Sequence, residues 1–216
     1  MNAVVNRMTP GITTMIRMDH THVLALSHRY KADTPVNKKK ALVTNACLAL
    51  QVHAQLEEEI FYPAMRNVLT GDEVLDKSEP EHQQIKQLIS ELRERCSDDA
   101  SIDQSFDDKF MDLIRIVMHH AADEETRLLP AAERLIPDEL GRLGMEMTRR
   151  RVELMRPYAG EIAASAARSF PVGAATGAAL LTAGAVAIGA MFLSRNRNGR
   201  SSDFSGRTHR GPSRMM

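Results

Sequence analysis

The sequence has no tryptophan, and aromatic residues make up only 4 % of its 216 positions. Its core must therefore come from Leu, Ile, Val, Ala and 13 Met, a mixture that suits helices. Cysteine is equally scarce. Cys47 and Cys96 stand far apart, in no CxxC or other zinc spacing, and two lone thiols fit a reduced compartment. No sign of charge is in excess: 28 basic residues balance 28 acidic ones, which argues against a whole-chain nucleic-acid binder. The opening stretch MNAVVNRMTPGITTMIR has no continuous apolar run, so no secretion signal is expected. No nucleophile–base pair or phosphate-binding loop points to a hydrolase or a nucleotide enzyme.

What is present is amphipathic periodicity. The first ~155 residues read as helices with short connections. The spacing predicts a first helix from about Pro10 to Tyr30, broken by ADTPVN at 32–37, and a second from about Val36 to Met65, with Pro63 at its end or at a kink. After a turn at TGDE, 70–73, a third is expected from about Glu79 to Cys96. A polar loop at 97–103 then leads to a fourth, from about Gln104 to Leu135, which meets Pro130 near its end. A fifth helical stretch, about 138–156, is rich in Arg and Met. Four main helices with short links predict an all-α fold, an up-down-up-down four-helix bundle with an extra C-terminal helix.

Beyond the bundle domain, 1–156, residues 157–170 read as a linker. Residues 172–193 are 22 consecutive uncharged positions, and the final 23 residues hold six Arg and one Asp with Gly and Ser, a composition expected to be disordered. A bilayer core needs ~20 apolar residues in a helix, so 171–193 is a candidate transmembrane helix and the chain is expected to be membrane-anchored, with the bundle on the cytoplasmic side. Gly173 and Gly177 have the GxxxG spacing used for close helix contact, a route to a homodimer.

One pattern occurs twice. HAQLEEEIFYPA at 53–64 and HAADEETRLLPA at 120–131 are identical at six of twelve positions. A second repeat precedes each copy: DHTHVLAL from Asp19 and EHQQIKQL from Glu81 both read acid–His–x–x–(Val/Ile)–x–x–Leu. The chain thus looks like two helical hairpins in tandem, each with one lone His and one His-x-x-x-Glu. Positions i and i+4 share a helix face, so His53 with Glu57 and His120 with Glu124 each point one way. Together with His20 and His82 they would put four His and two Glu around a pair of metal ions. Imidazole suits iron and its neighbours, and a carboxylate has two oxygens with which to bridge two cations. Buried without metal, those carboxylates would lack a partner. Glu58, Glu59 and Glu125 read most simply as a solvated face, and His119, about 100° round the helix from His120, as a surface or supporting residue. Asp19 and Glu81 directly precede a His without sharing its face.

On Asp19-His20, His53-x-x-x-Glu57-Glu58 with Pro63, Glu81-His82, and His120-x-x-x-Glu124-Glu125 with Pro130, the sequence resembles the hemerythrin-like (HHE cation-binding) family over roughly residues 12–135. The resemblance implies a four-helix bundle around a non-haem di-iron site, with two iron ions (Fe2+/Fe3+) joined by an oxo or hydroxo bridge. Glu57 and Glu124 would be the bridging carboxylates, and His20, His53, His82 and His120 the terminal ligands. It also implies O2, peroxide or nitric oxide as the small ligand. The oxygen-carrying hemerythrins use a fifth His, in a His-x-x-x-His on the third helix. Here the positions four residues either side of His82 are Ser78 and Lys86, and Glu79 is a candidate oxygen ligand in its place. A carboxylate-richer site favours ferric iron and points away from simple O2 carriage, toward redox sensing, peroxide or nitric oxide chemistry, or iron handling and storage.

Overall fold

The computed structural model describes residues 10–97 and 102–169. The regular structure among them is helical: α1 (Ile12–His28), α2 (Val36–Leu56), α3 (Tyr62–Arg66), α4 (Glu73–Ser97), α5 (Gln104–Asp123), α6 (Leu129–Leu135), α7 (Leu140–Met155) and α8 (Ala159–Ser169). The long helices α1, α2, α4 and α5 pack in a ring, each against two of the others, while α7 lies across α1 and α2 and α8 lies along α2.

Local chemistry sets the boundaries. Asp103 caps α5, its side chain accepting from the Phe106 N–H at 3.1 Å. Before α4, Gly71 takes the left-handed turn (φ 67°) that a side chain would oppose. Asp72 follows, and its Oδ1 accepts from the N–H groups of Val74 and Leu75 at 3.0 and 3.1 Å. This cap starts α4 at Glu73, six residues before the expected Glu79, and leaves Pro80 inside the helix. The capping interaction outweighs the proline as a boundary signal.

The two prolines of the repeat, Pro63 and Pro130, do something more specific than end a helix. Residues Glu57–Phe61 join α2 to α3, and Glu124–Leu128 join α5 to α6, as single π-helical turns. In each, the N–H five residues on, Tyr62 or Leu129, bonds the carbonyl of Glu57 or Glu124. The ring of Pro63 or Pro130 cannot sit against the carbonyl four residues back. Widening the preceding turn makes room for it, and the helix resumes instead of stopping. Both π turns begin at the Glu of a His-x-x-x-Glu.

Two apolar clusters fill the interior. One holds Ile12, Ile16, Leu56, Phe61, Tyr62, Leu75, Leu128, Leu143 and Met147; the other holds Val23, Leu42, Leu50, Ile85, Leu92, Phe106, Phe110 and Val117. Along each long helix the motif His lies between them: His20 between Ile16 and Val23, His53 between Leu50 and Leu56, His82 between Leu75 and Ile85, His120 between Val117 and Leu128. The polar residues thus form one layer between two dry ones.

The expected linker at 157–170 is corrected by α8, which follows a 3₁₀ turn, Arg156–Tyr158. Its sequence, AGEIAASAARS, is rich in the strongest helix former. Glu161 ties it to Arg93 of α4 at 3.2 Å, and Tyr158 reaches Gln51 of α2 at 3.4 Å. Among the described residues no helix is long and apolar enough to cross a membrane. The candidate span at 171–193, its GxxxG pair and the basic tail lie outside the described residues. Cys47 and Cys96 are free thiols.

Candidate metal centre

The structure brings the six proposed ligands together. Glu57 and Glu124 have no solvent exposure, and His20, His53, His82 and His120 are all buried. Two sets of donor atoms lie within 4.8 Å of one another: His20, His53, Glu57 and Glu124 form one, and Glu57, His82 and His120 the other, with Glu57 common to both. Each imidazole turns Nε2 inward. Glu57 Oε2 lies 3.2 Å from that of His53 and 3.5 Å from that of His82. Glu124 Oε2 lies 3.3 Å from that of His20 and 3.6 Å from that of His120.

Each imidazole also turns Nδ1 outward to a carboxylate. His20 meets Glu125 at 2.8 Å, His53 meets Asp19 at 3.4 Å, His82 meets Glu58 at 3.0 Å, and His120 meets Glu81 at 2.8 Å. Such partners hold the ring orientation and leave Nε2 free to bind a metal. The repeat accounts for all four. The acid preceding the lone His orients the other His of its own hairpin; the acid following the motif Glu orients the lone His of the opposite hairpin. Glu58 and Glu125 are therefore not a merely solvated face. Only Glu59 of that group behaves so, paired with Arg150 at 2.6 Å. Asp19 and Glu81 do not reach the adjacent ring, as helix geometry requires, but reach across to the neighbouring helix.

Glu79 is half-exposed and pairs with Arg66 at 2.9 Å, away from the centre, because it points to the outer side of α4. Its place is taken by Tyr62, at the end of the first π turn. The phenol donates to Glu124 Oε1 at 2.9 Å and lies 3.2 Å from His82 Nε2 and 3.4 Å from His120 Nε2. The matching position of the second repeat is Leu129, so Tyr62 breaks the pseudo-twofold. That mismatch was its only sequence signal. Ser78, one of the two positions a fifth His would occupy, is small and fully buried. His119 is 72 % exposed and faces Asp123 at 3.7 Å, on the surface.

The electrostatics are those of a site short of positive charge. Burial, and after it the nearby Glu124, pushes Glu57 well above the usual carboxylate range. Burial acts the same way on Glu124, but the surrounding imidazoles, His20 first, outweigh it and hold that group down at about 2. Burial lowers His53 to about 4 and also lowers His82 and His120, so three rings are neutral at pH 7 and ready to act as ligands. At His20 burial is overcome by Glu124 and Glu57, and the ring is raised to about 9. At the centre, Glu57 Oε1, Glu124 Oε2, His20 Nε2 and His53 Nδ1 are buried with no hydrogen-bond partner, the last facing Asp19 only at ion-pair distance. An unpaired buried acceptor costs about 1–3 kcal/mol, more when charged. Inward-facing imidazoles and unpaired carboxylate oxygens are the donor set a mid-row divalent cation takes, and these residues fit one.

A helical bundle with His and Glu from four helices converging on one buried polar layer defines a cation-binding bundle protein. The hemerythrin HHE cation-binding domain model matches residues 11–132, and the chain belongs to that family. It is also 28 % identical over 129 residues to a DNA nickase of Nostoc sp. (strain PCC 7120 / SAG 25.82 / UTEX 2576), an alignment covering 60 % of this chain and 35 % of the relative. The chain thus spans about a third of that relative's length. No solved structure is significantly similar.

Proposed function

We propose that this chain is a non-haem di-iron protein on an up-down-up-down bundle, which binds O2 or a related small oxidant, peroxide or nitric oxide, in sensing or handling it. The observation that carries this reading is the paired donor layer: four inward Nε2 atoms, each backed at Nδ1 by a carboxylate, around two fully buried Glu with unpaired oxygens. His20 and His53 would hold one ion and His82 and His120 the other, with Glu57 and Glu124 between them. Bound iron would supply an open coordination position and one-electron redox chemistry. The chain's own residues supply the rest: the four outer carboxylates fix the rings, the apolar clusters on either side keep water out, and Tyr62 sets a phenolic O–H at the centre.

That phenol favours a second reading, a di-iron oxidoreductase acting on peroxide or nitric oxide, because it places a proton donor within hydrogen-bond reach of the inner layer. The test is reconstitution with ferrous iron in the absence of air, followed by stoichiometric addition of O2, peroxide or nitric oxide. Binding or sensing predicts one optical change per site that stops. Turnover predicts continued consumption under reductant. No spectral response to any of the three would reject both. The proposed membrane tether at 171–193 is tested separately: the full chain should sediment with vesicles and the chain ending at 170 should not.

A further inference from the structure

Three of the four carboxylates behind the imidazoles have a cation beside them. Lys86 Nζ binds Glu58 at 2.6 and 2.7 Å, and Lys77 Nζ stands 3.8 Å from Glu81. Both lysines belong to α4, a helix that also carries one of the rings. Asp19 is held differently. Arg151 of α7 grips both of its oxygens, Nη1 to Oδ1 at 2.7 Å and Nη2 to Oδ2 at 2.6 Å. Arg151 and Asp19 are 15 % and 18 % exposed, so water screens this pair little. The same Oδ2 faces His53 Nδ1 at 3.4 Å, a charge contact longer than the hydrogen bonds behind the other three rings.

α7 is not one of the four helices that supply the inner layer, and it lies beyond the residues that the family model matches. It is nonetheless built onto the bundle. Leu143 and Met147 are buried in the first apolar cluster. Gly144 lets the backbones close up: a Cβ there would stand 2.3 Å from the Pro10 carbonyl oxygen. Arg150 pairs with Glu59 on the first π turn.

We infer that α7 is a fifth helix of the metal centre, in which Arg151 is a positioning residue that sets His53 through Asp19, so that metal occupancy and α7 docking are coupled. The inference rests on the metal reading above. A bidentate guanidinium–carboxylate pair holds the carboxylate plane, and the negative charge so fixed 3.4 Å from His53 Nδ1 favours the proton on that nitrogen. Coupling of this kind is reciprocal: whatever α7 docking adds to metal affinity, the metal adds to α7 docking. α7 continues directly through the 3₁₀ turn into α8, so a change in iron occupancy would be felt at the C-terminal end of the described chain.

The experiment uses the full chain and ferrous iron added anaerobically, with two readouts: iron affinity by competition against a chelator, and hydrogen exchange across 140–155 with and without iron. Arg151→Met keeps the aliphatic stem and loses the fork; Arg151→Lys keeps a charge without the bidentate geometry. Arg150→Met, which loosens α7 without touching an orienting carboxylate, is the control. The expected result is roughly tenfold to hundredfold weaker binding at one of two iron positions in Arg151→Met, as for other partners of a metal-bound ring, with partial recovery in Arg151→Lys. Iron should slow α7 exchange in the unaltered chain and in Arg150→Met, and not in Arg151→Met. Equal iron affinity in Arg151→Met and the unaltered chain overturns the inference and leaves the metal reading standing. So does equal weakening in Arg150→Met. If the unaltered chain takes up no iron, the metal reading itself fails and the inference with it.

Discussion

Replacing Glu57 with Gln should make the metal-free protein more stable and remove most of the stabilisation that iron confers. Glu57 is fully buried, its Oε1 has no hydrogen-bond partner, and Glu124 shares the same layer. Without a cation, the layer resists two negative charges, and burial keeps Glu57 protonated well above its ordinary range. Gln has the shape of that neutral acid and ends the conflict. Sparing the layer a buried, uncompensated carboxylate charge is worth about 1–3 kcal/mol. For a domain of this size, each kcal/mol moves the Tm by about 2–4 °C, so the metal-free variant should melt roughly 2–12 °C higher. Iron at a hundredfold excess over its Kd adds about 2.7 kcal/mol to the unaltered chain, or roughly 5–11 °C. The variant, with a neutral amide in place of the carboxylate common to both donor sets, should gain little. Thermal melts on chelated and ferrous-loaded samples measure both shifts. If Glu57→Gln melts lower than the unaltered chain when metal-free, and iron raises both equally, Glu57 is a structural polar group and the reasoning is refuted.

Tyr62→Phe removes the phenol that donates to Glu124, and should lower metal-free stability by about 0.5–1.5 kcal/mol, read as a drop of a few degrees in the same melts; an unchanged Tm would mean the bond contributes nothing. His53 should cost the metal-free protein stability as pH falls from about 6.5 toward 4, opposed over the upper part of that window by Glu57, which the folded chain protonates first. Burial lowers His53 from 6.5 to about 4, so in that window the unfolded chain binds the extra proton and the folded one does not. His53→Gln should flatten the slope, and a slope identical in the two proteins would count against a neutral buried ring. Gly144→Ala should cost about 1–3 kcal/mol, because its Cβ would meet the Pro10 carbonyl oxygen at 2.3 Å and neither backbone can yield cheaply; an unchanged denaturation midpoint would show that α7 is not tightly docked.

Local periodicity made much of this legible. Helices α1, α2, α5 and α7 follow from apolar spacing. The i, i+4 pairing of His53 with Glu57 and of His120 with Glu124 follows from helical pitch alone. What periodicity cannot supply is the register between helices. Asp19 meets His53, and Glu58 meets His82, because of how far each helix slides against its neighbour; no spacing within one helix encodes that. The repeat did hold a usable signal, since an acid stands before each lone His and after each motif Glu in both halves. Pro63 and Pro130 announced a departure from α-helix, but a proline fits a stop, a kink or a π turn equally well until the surrounding packing selects one. α8 was hidden because Pro157 and Gly160 look like linker punctuation, whereas the Ala-rich run after them has helix propensity and a side of α2 to lie on.

The central claim is that the six buried donors hold two cations. Elemental analysis of the full chain reconstituted with ferrous iron tests it most directly. Two irons per chain are expected in the unaltered protein and in His119→Ala, whose ring faces solvent, and fewer in His53→Ala. No bound iron in the unaltered chain, or two retained in His53→Ala, would contradict it.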